Sequence, residues 1–371
     1  MTDQSQKTYT ADGQSAVPGP LAGLKVVDFS LLGPGPFFTQ CLLELGADVL
    51  KVEPPRGDPA RYLSPGGYAV LNSQKSIRSL DLKTAAGAVE ARALLADADV
   101  LVEGFRPGVM ERLGFGFKDV SQLRPALVYV SLSGFGQESP LADMPGHDIN
   151  YLAASGVLAL AGTVGAPPAH AMGVPIGDFC SSIYALSSTL AALLVSRSMG
   201  QGQHLDVSVT DSLIHWMNSS LAQFQYKGLQ TLDEQRASVL GKPAYGVFQT
   251  ADSRSIALGA LEDHFWQRLA RALALESELE EADFAFRAAN VARINGAISA
   301  SLGKLTLQEA LGLLQAADVP ANAVVSPLDL PNTDYAASRG LFAAVDGLTY
   351  SRFPVRVSGG GAAASGHSTA S

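Results

Sequence analysis

The side chains best suited to chemistry stand in Gly146-His147-Asp148-Ile149-Asn150-Tyr151, read together with Asp178. A histidine lies between a glycine and a carboxylate, just after the turn-rich Met144-Pro145-Gly146. Residues 149–177 contain no Asp, Glu, Lys or Arg, and their one histidine is His170, so Asp178 is the next carboxylate. An imidazole and a carboxyl group framed by an apolar segment suit general acid and base catalysis. Spacing alone also allows a blander arrangement, His147 capping or hydrogen-bonding a turn and Asp178 as a helix N-cap, and that arrangement is the commoner one.

The elements that must position these groups begin at residues 24–29, a β-branched run that reads as a first strand. Gly33-Pro34-Gly35-Pro36 turns the chain into a helix over residues 37–45, stopped by Gly46. A second strand follows over 47–52 and ends in Glu53. This is a βαβ unit, which implies a parallel sheet. Gly33, Gly35 and Glu53 give part of a dinucleotide-binding pattern. Phe38 stands where a third glycine belongs, and Pro34 and Pro36 lack the N–H groups a pyrophosphate needs, so a nicotinamide cofactor is disfavoured.

Residues 54–67 read as a loop, 86–96 as a helix, 100–103 and 127–133 as strands, and a helix starts near Val109. Arg56, Lys83, Arg106 and Arg112 follow or flank strand ends. In open α/β sheets the ligand crevice lies at those ends, so together they could form an anion site, although singly each reads as a solvated residue. Residues 179–197 form a small, apolar helical pattern, 204–209 a strand and 211–226 a helix. Residues 228–242 are polar and loop-like, a candidate hinge. Beyond them lie strands near 245–248 and 255–258, helical segments to 316, and a returning strand at 320–325.

The expected architecture is α/β: a Rossmann-like parallel-sheet large domain with a smaller α+β domain. The boundaries are a disordered tail at 1–19, the large domain and connecting helices at 20–229, the small domain at 230–325, a return to the large domain at 326–357 and a second tail at 358–371. Hydrophobic residues make up 47% and charged ones 16%, enough for a sizeable core. The net charge of −9 argues against nucleic acid or an anionic membrane as a partner. Cys41 and Cys180 lie in apolar stretches and read as buried small hydrophobes, without metal-ligand spacing. The polar N-terminus resembles no signal peptide, and the apolar run at 185–195 reads as too short to span a bilayer. A soluble, cytoplasmic protein is expected.

Six segments in order carry a resemblance. They are the opening Pro20-Leu21-Ala22-Gly23-Leu24, then Leu45-Gly46-Ala47-Asp48-Val49 with Lys51-Val52-Glu53, and Leu80-Asp81-Leu82-Lys83. Glu103-Gly104-Phe105-Arg106-Pro107-Gly108 running on to Gly114, Ser133-Gly134-Phe135-Gly136-Gln137, and residues 146–151 complete the set. From about Pro20 to Ser358 the chain resembles the family III CoA-transferase (CaiB/BaiF-like) group, which includes the α-methylacyl-CoA racemases.

The resemblance implies an interlocked homodimer acting on an acyl-CoA substrate, with no cofactor beyond the CoA thioester and no metal. It places Arg106 and Arg112 at the CoA phosphates and Leu80, Asp81, Leu82, Lys83, Gly104 and Phe105 along the nucleotide. Asn150 and Tyr151 fall beside the pantetheine or thioester. Racemases resembling this chain carry an arginine where Pro54 stands, and Arg56 is its expected substitute. The resemblance further implies that His147 and Asp178 are two bases on opposite faces of an α-carbon, with Glu262 supporting the imidazole. An N–H near residues 178–179 is the expected oxyanion donor. The histidine motif takes the racemase form, whereas Gly173-Val174-Pro175-Ile176-Gly177-Asp178 and the Cys180-Ser181-Ser182 after it are closer to the transferases, where that aspartate is a nucleophile. Racemase is the favoured activity, CoA transfer the alternative, and a non-catalytic CoA-ester-binding protein the third.

Overall fold

The computed structural model describes residues 19–170 and 173–356. From the N-terminal side run β1 (Lys25–Asp28), α1 (Pro34–Glu44), β2 (Asp48–Glu53), α2 (Ala60–Leu63), α3 (Pro65–Asn72), β3 (Ser76–Ser79), α4 (Ala85–Ala96) and β4 (Val100–Glu103). Then come α5 (Val109–Arg112), α6 (Phe117–Leu123), β5 (Val128–Ser133), α7 (Asp148–Ala154), α8 (Val157–Leu160), α9 (Ile176–Met199), β6 (His204–Ser208) and α10 (Val209–Trp216). The first six strands make one parallel sheet in the order β3-β2-β1-β4-β5-β6.

Strand alternation explains why both faces of this sheet are covered. Val26, Val100, Val102, Val128 and Val130 join Phe38 and Leu42 of α1 and Ala185 and Leu193 of α9 in one core. Val27, Leu101 and Tyr129 point the other way, into a core with Leu95 of α4 and Val120 of α6. Strands buried on both sides read as continuous β-branched runs, which is why they were visible in the sequence. Gly46 ends α1 as expected, with φ +105° and its N–H on the Leu43 carbonyl at 2.8 Å.

The chain divides into two compact units. The first takes the described residues of Met1–Val157, Met172–Trp216 and Pro331–Ser371, and the second those of Leu158–Ala171 and Met217–Leu330. The second contains α11 (Asn218–Lys227), α12 (Leu232–Leu240), β7 (Tyr245–Gln249), β8 (Ser255–Gly259), α13 (Asp263–Ala272), α14 (Ser277–Glu280), α15 (Phe284–Ala289), α16 (Val291–Leu302), α17 (Leu307–Ala316) and β9 (Ala321–Ala323). Its three strands pair antiparallel, and its core gathers Trp266, Leu269, Ile294, Ile298, Leu302 and Leu314. The last described segment returns to the first unit with α18 (Asp334–Arg339), β10 (Phe342–Val345) and β11 (Leu348–Ser351).

Several expectations need correction. Residues 54–67 are not a plain loop: Pro65 at the first position of α3 starts a helix inside them. Residues 228–242 hold a helix, because the Thr231 hydroxyl accepts the Glu234 N–H at 3.2 Å and the Glu234 carboxylate accepts the Thr231 N–H at 2.8 Å. The expected helix at 211–226 is two helices broken at Met217, where the units divide.

Residues 158–170 join the second unit rather than the large domain, for a visible reason. The buried Arg236 guanidinium donates to the carbonyls of Ala159 at 2.7 Å, Thr163 at 3.4 Å and Ala166. The division falls at 330–331, where 325–326 was expected. The tails at 1–18 and 358–371 lie outside the described residues. Gly19, assigned to the first tail, instead accepts the Ala22 N–H in a turn at 3.0 Å.

Helix α9 also departs from expectation. Its 24 residues are long and apolar enough, by length and composition, to cross a membrane. Counting only residues 185–195 missed the small residues at its N-terminal end. Half of its most apolar window is buried, with Ala185, Leu186, Ala192 and Leu193 in the first unit's core, so packing accounts for its composition.

Candidate active site

His147 is the N-cap residue of α7. Its N–H donates to Asn150 Oδ1 at 3.0 Å, and the Asn150 N–H donates to the His147 carbonyl at 2.8 Å. A capping or turn role for His147 was the alternative to a catalytic one, and this reciprocal pair is the reason it sits at a helix start. Tyr151, one turn on, donates its hydroxyl to the Gly146 carbonyl at 2.7 Å and meets Phe135 edge-on at 5.2 Å. A Cβ at Gly134 would lie 2.3 Å from Tyr151 Cε1 and one at Gly146 2.6 Å, so both glycines make room for this ring. Burial pushes the Tyr151 phenol up to about 12.

Asp178 lies in the first turn of α9, but it is not the cap. The cap is Asp148, whose Oδ1 accepts the N–H groups of Gly177 at 2.8 Å and Asp178 at 3.2 Å. The Phe179 N–H is taken by the Pro175 carbonyl at 3.1 Å. This corrects the expected oxyanion donor, because both N–H groups at 178–179 are already engaged. Burial first, and the Asp148 charge second, push the Asp178 carboxyl up to about 7. That carboxyl has no hydrogen-bond partner among the described residues, and its Oδ2 lies 3.2 Å from where a Cβ at Gly33 would stand.

The serines after Asp178 tie helices together. The Ser182 hydroxyl contacts the Asp178 carbonyl at 2.8 Å and the Pro34 carbonyl at 2.7 Å, and the Ser181 hydroxyl donates to the Asp178 carbonyl at 2.8 Å. Burial raises the Cys180 thiol to about 11, which keeps it from being a thiolate nucleophile.

A cavity of about 450 Å³ opens at the carboxyl ends of β1, β4 and β5, where the sheet order reverses. Gly104, Phe105, Arg106, His147, Asn150, Tyr151 and Asp178 all line it. Leu31, Leu32, Ala142, Met144, Pro145 and Val209 supply apolar wall. The strand order is that of dinucleotide-binding sheets, yet Pro34 and Pro36 leave Gly35 as the one N–H in the first three positions of α1.

The other predicted residues do not line this cavity. Arg56, Lys83 and Arg112 are exposed, and none pairs with a carboxylate among the described residues. Leu80 is buried with its N–H on the Glu53 carbonyl at 2.9 Å, while Asp81 accepts the Lys83 N–H at 3.0 Å beside partly buried Leu82. Glu262 belongs to the second unit, as the N-cap of α13. Arg287 clamps both its neighbours, donating to the Leu261 carbonyl at 2.8 Å and Asp263 Oδ1 at 2.7 Å. Among the described residues no group of three His, Cys, Asp or Glu could hold a metal ion.

Sequence reading missed the polar supports behind the cavity. Arg61 engages Glu53, at 3.0 and 3.2 Å, and Tyr68 adds its hydroxyl at 2.6 Å. Buried Lys51 pairs with buried Asp58 at 3.0 Å and donates to the Ser30 carbonyl at 2.8 Å. Asp58 accepts the N–H of Leu32, whose φ is +66°. Glu103, pushed by burial up to about 7, accepts the Phe105 N–H at 2.8 Å and so shapes the segment carrying Arg106. A lone lysine or glutamate in an otherwise apolar strand was the available signal.

The pattern of CoA-transferase family III matches residues 21–368. The acetyl-CoA:oxalate CoA-transferase of Acetobacter aceti is 30% identical over 351 residues, covering 92% of this chain and 90% of that enzyme. The alpha-methylacyl-CoA racemase of Mus musculus is 37% identical over 266 residues, covering 70% of this chain and 66% of that enzyme. A solved CAIB/BAIF family protein from Brucella suis superposes with a TM-score of 0.81 at 26% identity, over 92% of this chain and 93% of that one. With a cavity at the sheet's reversal point and motifs in order along its length, the chain belongs to CoA-transferase family III.

Proposed function

We propose that the protein is an α-methylacyl-CoA racemase-like isomerase, inverting the α-carbon of a 2-methylacyl-CoA thioester by two-base proton transfer. The observation carrying this reading is that His147 and Asp178 face one cavity, with the Asp178 carboxyl pushed up to about 7. A group whose proton affinity matches the working pH exchanges protons efficiently in both directions. His147 takes the α-proton of one enantiomer, and the Asp178 carboxyl returns one to the opposite face. For the other enantiomer the roles reverse. Arg106 holds a CoA phosphate, with Arg112, Arg56 and Lys83 along the rim, and the working form is a homodimer.

The cavity wall favours an uncharged acyl group. Its one arginine or lysine is Arg106, and the apolar residues leave a second carboxylate without a partner.

CoA transfer stands as the second reading, favoured by the unpartnered Asp178 carboxyl and by the oxalate transferase matching more of the chain than the racemase does. There Asp178 would attack the thioester carbonyl and expel CoA thiolate, forming an acyl anhydride. Incubating the enzyme with (2R)-2-methyldecanoyl-CoA in D₂O separates the two. The two-base reading expects α-deuterium and inversion with no acceptor acid, and no hydroxamate on the Asp178 peptide after hydroxylamine. An Asp178 hydroxamate, or acceptor-dependent turnover without α-exchange, would overturn it.

A further inference from the structure

Asp148 does more than follow His147. It sits at the first position of α7, and its Oδ1 accepts two N–H groups from the first turn of α9, Gly177 at 2.8 Å and Asp178 at 3.2 Å. Helix α9 has no side-chain cap of its own, since Pro175 stands at its N-cap. Position 177 shows how closely the carboxylate is fitted. A Cβ there would lie 2.9 Å from Asp148 Oδ1 and 2.9 Å from Leu213 Cδ1, so any larger residue would have to push one of these side chains aside.

The same side chain sets the field at Asp178. Asp148 and Tyr151 of α7 face the Asp178 carboxyl, and His147 and Arg106 share its cavity. Among these Asp148 supplies the negative charge, which disfavours a second one nearby. A neutral cap such as asparagine would hold the helix equally well without that effect.

We propose that Asp148 is the positioning residue of the site, docking the helix of Asp178 onto the helix of His147 while its charge favours a proton on Asp178. This rests on the two-base reading. One acidic side chain thereby sets the placement of one proton-transfer helix against the other and adds to the burial that keeps a proton on Asp178.

The test uses the full chain and α-deuterium exchange into (2R)- and (2S)-2-methyldecanoyl-CoA, followed across roughly pH 5–9. Asp148→Asn keeps an acceptor oxygen and removes the charge, so the limb reporting Asp178 should move down by about half to one pH unit. Asp148→Ala loses the acceptor as well, and kcat should fall about tenfold or more, with Asn restoring most of it. An unmoved limb in Asp148→Asn, or an unchanged kcat in Asp148→Ala, overturns the proposal. Should Asp148→Ala fail to fold, the Asn variant decides alone.

His147→Ala and Asp178→Asn run in parallel. If neither slows exchange, the two-base reading fails by itself, and the role of Asp148 is judged on the infrared carboxyl band of Asp178, assigned by subtracting the Asp178→Asn spectrum. Titration of that band at lower pH in Asp148→Asn supports the proposal, and titration at the wild-type pH refutes it.

Discussion

Asp58→Ala should be among the most damaging single substitutions in the first unit. Asp58 and Lys51 have fully buried side chains 3.0 Å apart, and the carboxylate also accepts the N–H groups of Leu32 at 3.1 Å and Ala60 at 2.9 Å. Removing it leaves the Lys51 ammonium with the Ser30 carbonyl at 2.8 Å and without its nearest counter-charge, Asp28 and Glu53 acting on it less directly. Breaking a buried pair in this way costs about 3–5 kcal/mol. Lys51→Met is milder, because the carboxylate keeps its two N–H donors, and about 2–3 kcal/mol is expected. The double variant Lys51→Met with Asp58→Leu removes both charges of this pair, leaving two unsatisfied N–H groups worth about 1–3 kcal/mol in total. Urea unfolding followed by circular dichroism, at one fixed protein concentration, gives all three values. The double variant should be well above the sum of the singles in stability. Simple additivity, or an Asp58→Ala cost below about 1 kcal/mol, would refute the reasoning.

Stability should fall as pH rises toward neutrality. Asp178 and Glu103 are both held up to about 7 by burial, so between the ordinary carboxylate range and about 7 the folded protein binds protons the unfolded chain releases. Asp178→Asn should flatten that slope in urea titrations, and a slope left unchanged would count against the buried-carboxyl assignment. Gly134→Ala should drive a methyl group into the Tyr151 ring, at a cost of about 1–3 kcal/mol and with a raised KM for the CoA ester. A melting temperature and KM equal to the wild type would show that the ring can move aside.

Legibility in the sequence followed burial. β1, β4 and β5 were visible because both faces are covered and their middles, Val26-Val27, Val100-Leu101-Val102 and Val128-Tyr129-Val130, are apolar. His147 and Asp178 stood out because residues 149–177 carry no Asp, Glu, Lys or Arg, and both line the cavity. What failed to show was polar work done over distance. Thr231 and Glu234 form a capping box, yet polar composition made the segment look like a loop. Arg61 drew no notice beside Glu53, and the helical turn of α2 brings it round to that carboxylate while Arg56 faces solvent. The oxyanion expectation failed for the same cause, since nothing in sequence order announces that Asp148 reaches the N–H groups 29 and 30 residues away.

The three-part make-up of the first unit governs how the chain must come off the ribosome. Its closing hairpin, β10 and β11, seals onto segments made some 300 residues earlier: Gln74 Nε2 donates to the Tyr350 hydroxyl at 2.7 Å, and the Phe353 N–H donates to the Glu44 carboxylate. The whole second unit beyond Met217 is synthesised before that seal exists. Through that interval α9 can rest against β5 and, once residue 208 has emerged, β6, while the outer surfaces of α1 and α3 wait uncovered. Such long-range closure is slow, because the loop entropy is lost before the contacts are gained. A released chain ending at residue 330 should therefore be open to proteolysis around residues 40–75 while its antiparallel sheet is already protected, and restoring the last segment should close that window.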